Sequence, residues 1–236
     1  MASYQKITDN REVNCVSNNA ARLNCKKGSH CWSRSLLSPS RLLLTLIWLA
    51  AFASPLFSYK IIYAEQFYGL YHQHFYQNSD DTMESIVWLE KALTSDFCNP
   101  LYALATINNS KEWRHYRYLF KMHVNLKLVE LYRNLASRYD KRTAYFFNAP
   151  WRKQNLDSLI IAEKVYQTAF YYWEKAREWA LKLRGSPYHL EEIQKWEDEC
   201  YRVQTGDLDY GDILRADLSR LQRVRQAFED MDESTY

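Results

Sequence analysis

Histidine spacing gives a first test for metal chemistry in this chain. His72 and His74 are two residues apart, so on a helix they point to different sides, whereas a helical two-histidine site needs a spacing of about four residues. His115 and His123 share a helical face but lie two turns apart. We interpret all four as core or surface histidines and predict no metal ligand set.

An acidic turn near the C-terminal end resembles the start of a calcium-binding loop through Asp207, Asp209 and Asp212. Gly211 comes one position too early for such a loop, and Leu218 stands where a bidentate glutamate is needed. We therefore interpret these residues as a polar turn that caps the last helix.

Carboxylates cluster at Glu191, Glu192 and residues 197–199. Glycoside hydrolysis needs two carboxylates that face each other across a cleft, whereas neighbours on one amphipathic helix usually form a solvated face. The chain contains no G-x-S-x-G, P-loop, Rossmann or H-E-x-x-H motif. We predict no catalytic residue and no cofactor, and we expect that the protein is not an enzyme.

Aromatic residues are unusually frequent: they make up 16% of the chain, with 19 Tyr and 8 Trp. Most must lie in the core, but those that stay exposed would suit a protein interface, where Trp and Tyr are enriched. The residues that we predict to contact a partner protein are Trp88, Trp151, Tyr171, Trp173, Trp179 and Trp196.

The stretch from Asn155 to Leu183 has no Gly or Pro and predicts the central helix of an all-α domain. Small residues and one Trp share one face of it, on which a second helix can lie close. These residues are Ala162, Ala169, Trp173, Ala176 and Ala180.

From residue 63 onwards, the rest of the sequence predicts a series of helices and no strand. The expected elements are Tyr63–Tyr76, Asp81 to about Ser95, a short turn at Leu101–Ile107, Lys111–Tyr139 capped by Ser110, Pro187 to about Val203 capped by Ser186, and Asp212–Met231. Residues 148–151 are expected to form the loop before the central helix. Apolar residues wrap most of Lys111–Tyr139, so this helix is predicted to be covered on several sides.

The N-terminal part has two segments of different character. Residues 1–41 are polar and lack periodicity, which predicts a disordered leader or a start codon assigned too early. Cys25, His30 and Cys31 in it fit no zinc module. Residues 42–64 begin with an apolar run, residues 42–57, behind basic residues, which is typical of a signal peptide or a retained membrane anchor.

Residues 65–236 are then the exported helical domain. The net charge of this domain, rather than that of the whole chain, bears on whether it binds nucleic acid. Eight of the 31 basic residues and two of the 28 acidic residues precede residue 65, so the domain carries a net charge of −3. We therefore expect no nucleic-acid partner. Cys98 and Cys200 are its only cysteines, and a disulfide and two buried thiols are equally compatible with the sequence.

Ala169, Trp173 and Ala176 have a small–aromatic–small spacing of four and then three residues. This pattern resembles the second helix of a tetratricopeptide repeat, with Leu156 and Tyr166 where that family places a leucine and an aromatic residue. The resemblance implies antiparallel helix pairs stacked as a repeat-like bundle.

A second segment, residues 85–93, is similar to the same pattern through Ser85, Leu89 and Ala92. The chain departs from the family in lacking a strict 34-residue period. Nothing between Glu163 and Tyr166 interrupts the helical pattern, so a pair of helices and one long helix are both compatible with it.

Two runs, Asn99–Tyr132 and Tyr139–Trp151, resemble exported helical proteins of spirochaetes that contribute tetratricopeptide-like scaffolds to the periplasmic flagellar collar. The resemblance implies a periplasmic interaction scaffold whose partners are proteins of an envelope or flagellar assembly, with membrane contact only through residues 42–57. The alternative from another class is binding or hydrolysis of cell-wall glycan by exposed aromatics and paired acids.

Overall fold

The computed structural model describes residues 60–144 and 149–231, with the backbone alone at residues 149 and 150. The predicted leader and apolar segment up to residue 59 lie outside this range. The described residues form α1 (Ala64–Gln77), α2 (Thr82–Thr94), α3 (Ser110–Tyr139), α4 (Ala149–Lys182), α5 (Gln194–Thr205) and α6 (Tyr210–Asp230). Short 3-10 turns lie at Pro100–Tyr102 and Glu191–Ile193.

The all-α prediction is confirmed, because these residues contain no strand and only one isolated bridge, between Tyr63 and Asp96. That bridge, with the Ala64 N–H donating to the Asp96 carbonyl at 2.8 Å, closes the α1/α2 hairpin. No helix among the described residues is long and apolar enough to span a bilayer.

Side-chain caps fix three of the helix starts. Asp81 accepts from the Glu84 N–H at 3.1 Å, as predicted for α2, and Asp209 accepts from the Gly211 N–H at 2.7 Å at the start of α6, which confirms the polar turn. The cap predicted at Ser110 is wrong: Asn109 caps α3, and Ser110 is already helical, because the Asn109 carboxamide accepts from the first free N–H groups.

Two other predicted boundaries are wrong for tertiary reasons. Ser186 and Pro187 do not begin a helix; Ser186 Oγ instead lies 2.8 Å from His115 Nδ1, and α5 starts only at Gln194. Residues 149–151 belong to α4 rather than to a loop, and Pro150 is tolerated there because an N–H group in the first helical turn has no intrahelical hydrogen bond to lose.

The central helix is one uninterrupted helix of 34 residues, so of the two alternatives for residues 163–166 the long helix is observed. Its predicted small face is buried: Ala162, Ala169 and Ala176 have no exposed surface. Because these side chains are small, α3 can pack close to α4 along most of the length of α4.

Contacts along α3 and α4 show that the two helices run antiparallel. Tyr132 stacks on Tyr172 with ring centroids 5.4 Å apart, and Tyr118 contacts Trp179 further towards the start of α3. The α1/α2 hairpin packs on α3, α6 runs antiparallel along α4, and α5 packs against both α3 and α4. The prediction that α3 is covered on several sides is confirmed, since 14 of its 30 residues are buried.

Candidate functional site

Two of the six aromatics predicted for a partner interface lie in the core. Trp173 is 2% exposed and packs edge-on against Tyr210 of α6, with ring centroids 5.9 Å apart. Trp196 is 6% exposed and stacks on His123 at 4.8 Å. A partner can contact these two residues only by opening the core.

Trp88 and Trp179 are half-buried and are covered by lysine side chains. Lys91 Nζ lies 4.6 Å from the Trp88 ring centroid, and Lys182 Nζ lies 3.9 Å from that of Trp179. Each indole thus carries an ammonium group over one ring face, which gives a modest cation–π stabilisation and covers part of its apolar surface.

Trp151 and Tyr171 are the exposed members of the set, at 59% and 56%. They are 20 residues apart on α4, which rotates one relative to the other by roughly 200° at 100° per residue, so they point to nearly opposite sides. The six predicted residues therefore do not form one site.

A carboxylate links α2 to the α3/α4 pair next to Tyr171. Glu90 Oε1 accepts from the Tyr132 hydroxyl at 2.6 Å and from the Tyr172 hydroxyl at 2.8 Å. Burial, followed by the hydrogen bond to Glu90, raises the pKa of both tyrosines, so both stay protonated donors.

Exposed apolar residues flank this link on both helices. Met83 and Val87 of α2 are 55% and 41% exposed, and Ile161 of α4 is 45% exposed. Both α2 and α4 run antiparallel to α3 and hence parallel to each other. Met83 and Val87 precede Glu90 in α2, and Ile161 precedes Tyr172 in α4, so all three lie in the same direction along the helices from the Glu90 contact. We call Met83, Val87, Ile161 and Tyr171 the α2/α4 face; only Tyr171 was predicted. The spacing of Met83 and Val87 by four residues shows that they share one side of a helix but not that this side is exposed.

An ionic cluster around two buried aspartates ties α3, α4 and α6 together at the C-terminal end of α3. Arg220 donates to Asp140 and, at 2.9 Å, to Asp217, while Arg133 donates to Asp217 at 2.9 Å and the Tyr166 hydroxyl donates to Asp140 at 3.0 Å. These residues line a cavity of about 350 Å³. Burial lowers the pKa of Arg220, but the hydrogen bonds and charges of Asp140 and Asp217 together outweigh burial and raise the net pKa, so the arginine stays charged.

A second buried polar chain runs through His123 between α1, α3 and α5. The Tyr68 hydroxyl lies 2.8 Å from His123 Nε2, and His123 Nδ1 contacts the Glu199 carboxylate. A neutral imidazole fits both partners, because Nδ1–H can donate to the carboxylate while Nε2 accepts from the tyrosine. Burial lowers the pKa of His123 despite the opposing Glu199, which favours this neutral form.

We expect the melting temperature of the protein to fall as the pH drops from 7.5 to 5. The folded-state pKa of His123 lies below its ordinary value of 6.5, so its stabilisation is fully present above pH 6.5 and is lost as the pH falls towards the folded pKa. Although burial raises the pKa of Glu199, the hydrogen bond from His123 and the positive charges near the carboxylate together lower this pKa below 4.5, which adds a loss in the same direction at lower pH. Thermal unfolding across this range measures the effect, and a flat profile would contradict it.

The predicted carboxylate cluster is only partly a solvated face. Glu192 accepts from the Thr106 N–H at 3.1 Å, Glu197 accepts from the Leu190 N–H at 2.8 Å, and Glu199 is held by His123. Each acid serves a separate local contact, so these carboxylates do not face each other across a common cleft within the described residues.

The two cysteines of the helical domain are buried free thiols, which resolves the alternative that the sequence left open. Burial raises the pKa of Cys98 to about 12 and that of Cys200 to about 11. Both thiols are therefore protonated at neutral pH and are poor nucleophiles.

A family model, domain of unknown function DUF8513, matches residues 111–231, which span α3 to α6 and just over half of the chain. No curated protein and no solved structure matches the chain. The matched segment contains the ionic cluster, His123 and Tyr171, whereas the α1/α2 hairpin precedes it. The chain belongs to the DUF8513 family.

Proposed function

We propose that the protein is a non-enzymatic protein-interaction scaffold that uses the α2/α4 face to hold a partner. The observation that carries the proposal is the exposure of four apolar side chains, Met83, Val87, Ile161 and Tyr171, beside the hydrogen-bonded Glu90. Exposed apolar residues grouped on a folded surface are typical of interaction sites.

The architecture supports this proposal through its antiparallel helix pairs. The α1/α2 hairpin packs on the α3/α4 pair, as neighbouring helix pairs do in tetratricopeptide-like scaffolds, and the small face of α4 is buried as that resemblance requires. Two parallel helices with apolar residues facing outwards offer a surface for a partner helix or an extended segment. The likeness concerns packing, since α4 has no turn where a repeat would have one.

The cellular setting is part of the same proposal. We place the scaffold in a periplasmic envelope assembly of the flagellar-collar kind, reached through residues 42–64 as a signal peptide or an anchor in the inner membrane. The resemblance of Asn99–Tyr132 and Tyr139–Trp151 to exported spirochaete proteins supports this setting. The glycan alternative has less support, because Glu192, Glu197 and Glu199 each serve a separate structural contact.

A pull-down from crosslinked envelope tests the scaffold with matched variants of the full chain. We expect wild-type protein to recover components of an envelope assembly, and Val87→Lys with Tyr171→Lys to lose most of that recovery, because charges would be placed at the centre of an apolar contact. The control is Tyr201→Lys on α5, where the side chain is 65% exposed but lies outside the face.

Equal recovery by the wild type, the double variant and the Tyr201→Lys control would contradict the proposed face. Recovery of glycan fragments alone would favour the alternative function. Circular dichroism and thermal unfolding of each variant show whether the fold is intact before the comparison is made.

A further inference from the structure

The turn between α1 and α2 brings together three side chains of metal-ligand type. His74 lies in the last turn of α1, Asp81 is the N-cap of α2, and Glu84 lies in the first turn of α2. The turn is held by its backbone, since the Asn78 N–H donates to the His74 carbonyl at 2.7 Å and the Asp81 N–H donates to the Asn78 carbonyl at 3.0 Å. The three ligands thus sit on a fixed frame.

Each carboxylate has one oxygen engaged and one free. Asp81 Oδ1 accepts from the Glu84 N–H at 3.1 Å, and Glu84 Oε1 accepts from Trp88 Nε1 at 3.2 Å. The remaining oxygens point at the imidazole: Asp81 Oδ2 lies 3.9 Å from His74 Nε2, and Glu84 Oε2 lies 3.7 Å from His74 Nδ1. One ligand atom from each of the three residues lies within 4.8 Å of the other two.

A second, independent observation at this turn is the environment of the imidazole. Only 11% of the His74 side chain is exposed, and its Nε2 atom is buried without a hydrogen-bond partner among the described residues. A buried imidazole nitrogen without a partner is unfavourable and calls for an explanation. Both carboxylates are about half exposed, so an ion can reach the nitrogen from solvent.

We propose that His74, Asp81 and Glu84 bind a divalent transition-metal ion of the zinc class, with water in the fourth position. At metal–ligand distances of about 2.0–2.2 Å, tetrahedral ligand atoms lie roughly 3.4 Å apart. The two carboxylate oxygens face different imidazole nitrogens and the ligand atoms lie within 4.8 Å of one another, so the exposed carboxylates must close in on one nitrogen by up to about 1.4 Å. With a neutral histidine the ligands carry a net charge of −2, which a divalent ion neutralises. One nitrogen and two oxygens favour zinc over magnesium or calcium, which prefer oxygen ligands alone.

Histidine spacing could not show this site, because the ligands come from two helices and the turn between them. The function of the site would be to rigidify the turn that connects α1 to α2, opposite the Tyr63–Asp96 bridge that ties the open end of the hairpin. This proposal does not depend on the scaffold function, since the α2/α4 face and the metal ligands share no residue.

The experiment titrates Zn²⁺ into the full chain at pH 7.5, with Cys15, Cys25 and Cys31 replaced by Ser in every sample to remove competing thiols. Calorimetry gives the stoichiometry and affinity, and Co²⁺ gives an absorption spectrum that reports tetrahedral coordination. We expect one ion per chain and a rise in melting temperature on Zn²⁺ addition.

Conservative variants keep the fold while weakening the site. Asp81→Asn retains an N-cap, because Asn caps as well as Asp, and Glu84→Gln retains an acceptor for Trp88. We expect these variants and His74→Asn each to weaken Zn²⁺ binding by at least about tenfold. The control is His72→Asn, which lies two residues away on another side of α1 and should bind as the parent does.

Three outcomes would overturn the proposal. These are no Zn²⁺ binding by the parent at about 100 µM ion, binding that the three variants leave unchanged, and a Zn²⁺-induced rise in melting temperature that persists in His74→Asn.

Discussion

Replacing Arg220 by Ala lowers the free energy of unfolding by about 2–4 kcal/mol, somewhat less than the cost of breaking a fully buried ion pair, because 34% of the Arg220 side chain is exposed to solvent. The side chains of Asp140 and Asp217 are only 5% and 9% exposed, and Arg220 donates to both. Without the guanidinium, two carboxylates would share one buried cavity, with only Arg133 left to pair with Asp217.

Denaturant unfolding measures this loss, and the matched control is Arg223→Ala, an exposed arginine on the same helix that should change stability by less than about 0.5 kcal/mol. A triple variant that combines Arg220→Met with Asp140→Asn and Asp217→Asn should recover part of the stability, because no buried charge is then left unpaired. A loss of under about 1 kcal/mol in Arg220→Ala would show that the cluster does not hold α3, α4 and α6 together.

Trp173→Ala is expected to have an effect of similar size, about 3–5 kcal/mol, because it removes a large aromatic side chain from a filled core. Trp173 is 2% exposed, and a Cβ added to Gly211 would lie only 2.7 Å from its Nε1 atom, so the space around the indole is fully used. Its neighbour Tyr171 is 56% exposed, and Tyr171→Ala should cost less than about 1 kcal/mol.

Chemical denaturation of the two variants side by side tests this contrast between two positions that are two residues apart on one helix. Equal losses for Trp173→Ala and Tyr171→Ala would contradict the assignment of one residue to the core and the other to the surface. The comparison also decides which variant can probe a partner, because only a change that leaves the fold intact is informative in a binding assay.

The sequence predicts the fold class and most of the core, because helical periodicity depends on residues close in the chain. The buried face of α4 and the stripe of α6 with Leu214, Leu221, Val224 and Phe228 follow from spacing alone. Helix ends were predicted less well. At Ser186 a local rule favoured a cap, but the hydroxyl is placed against His115, 71 residues away in the chain.

The candidate site was harder to predict, because exposure depends on tertiary packing. Trp173 could have been excluded, since it shares the helical face of Ala169 and Ala176 that was itself predicted to be buried. Trp196 has a weaker signal, its i+4 spacing to the buried Cys200 on α5. The links of Glu90 to Tyr132 and Tyr172 join three helices and have no local signature.

The border of the matched family segment at Lys111 cuts through the packing around α3. Phe120 and Tyr116 are fully buried, and both contact Phe97 from the chain before this border; Phe120 also contacts Tyr68. A protein trimmed to residues 111–231 would expose these rings and leave His123 without its tyrosine. Such a fragment would aggregate or recruit a substitute helix, so any chain that carries this segment without the preceding hairpin must supply its own cover for that flank of α3.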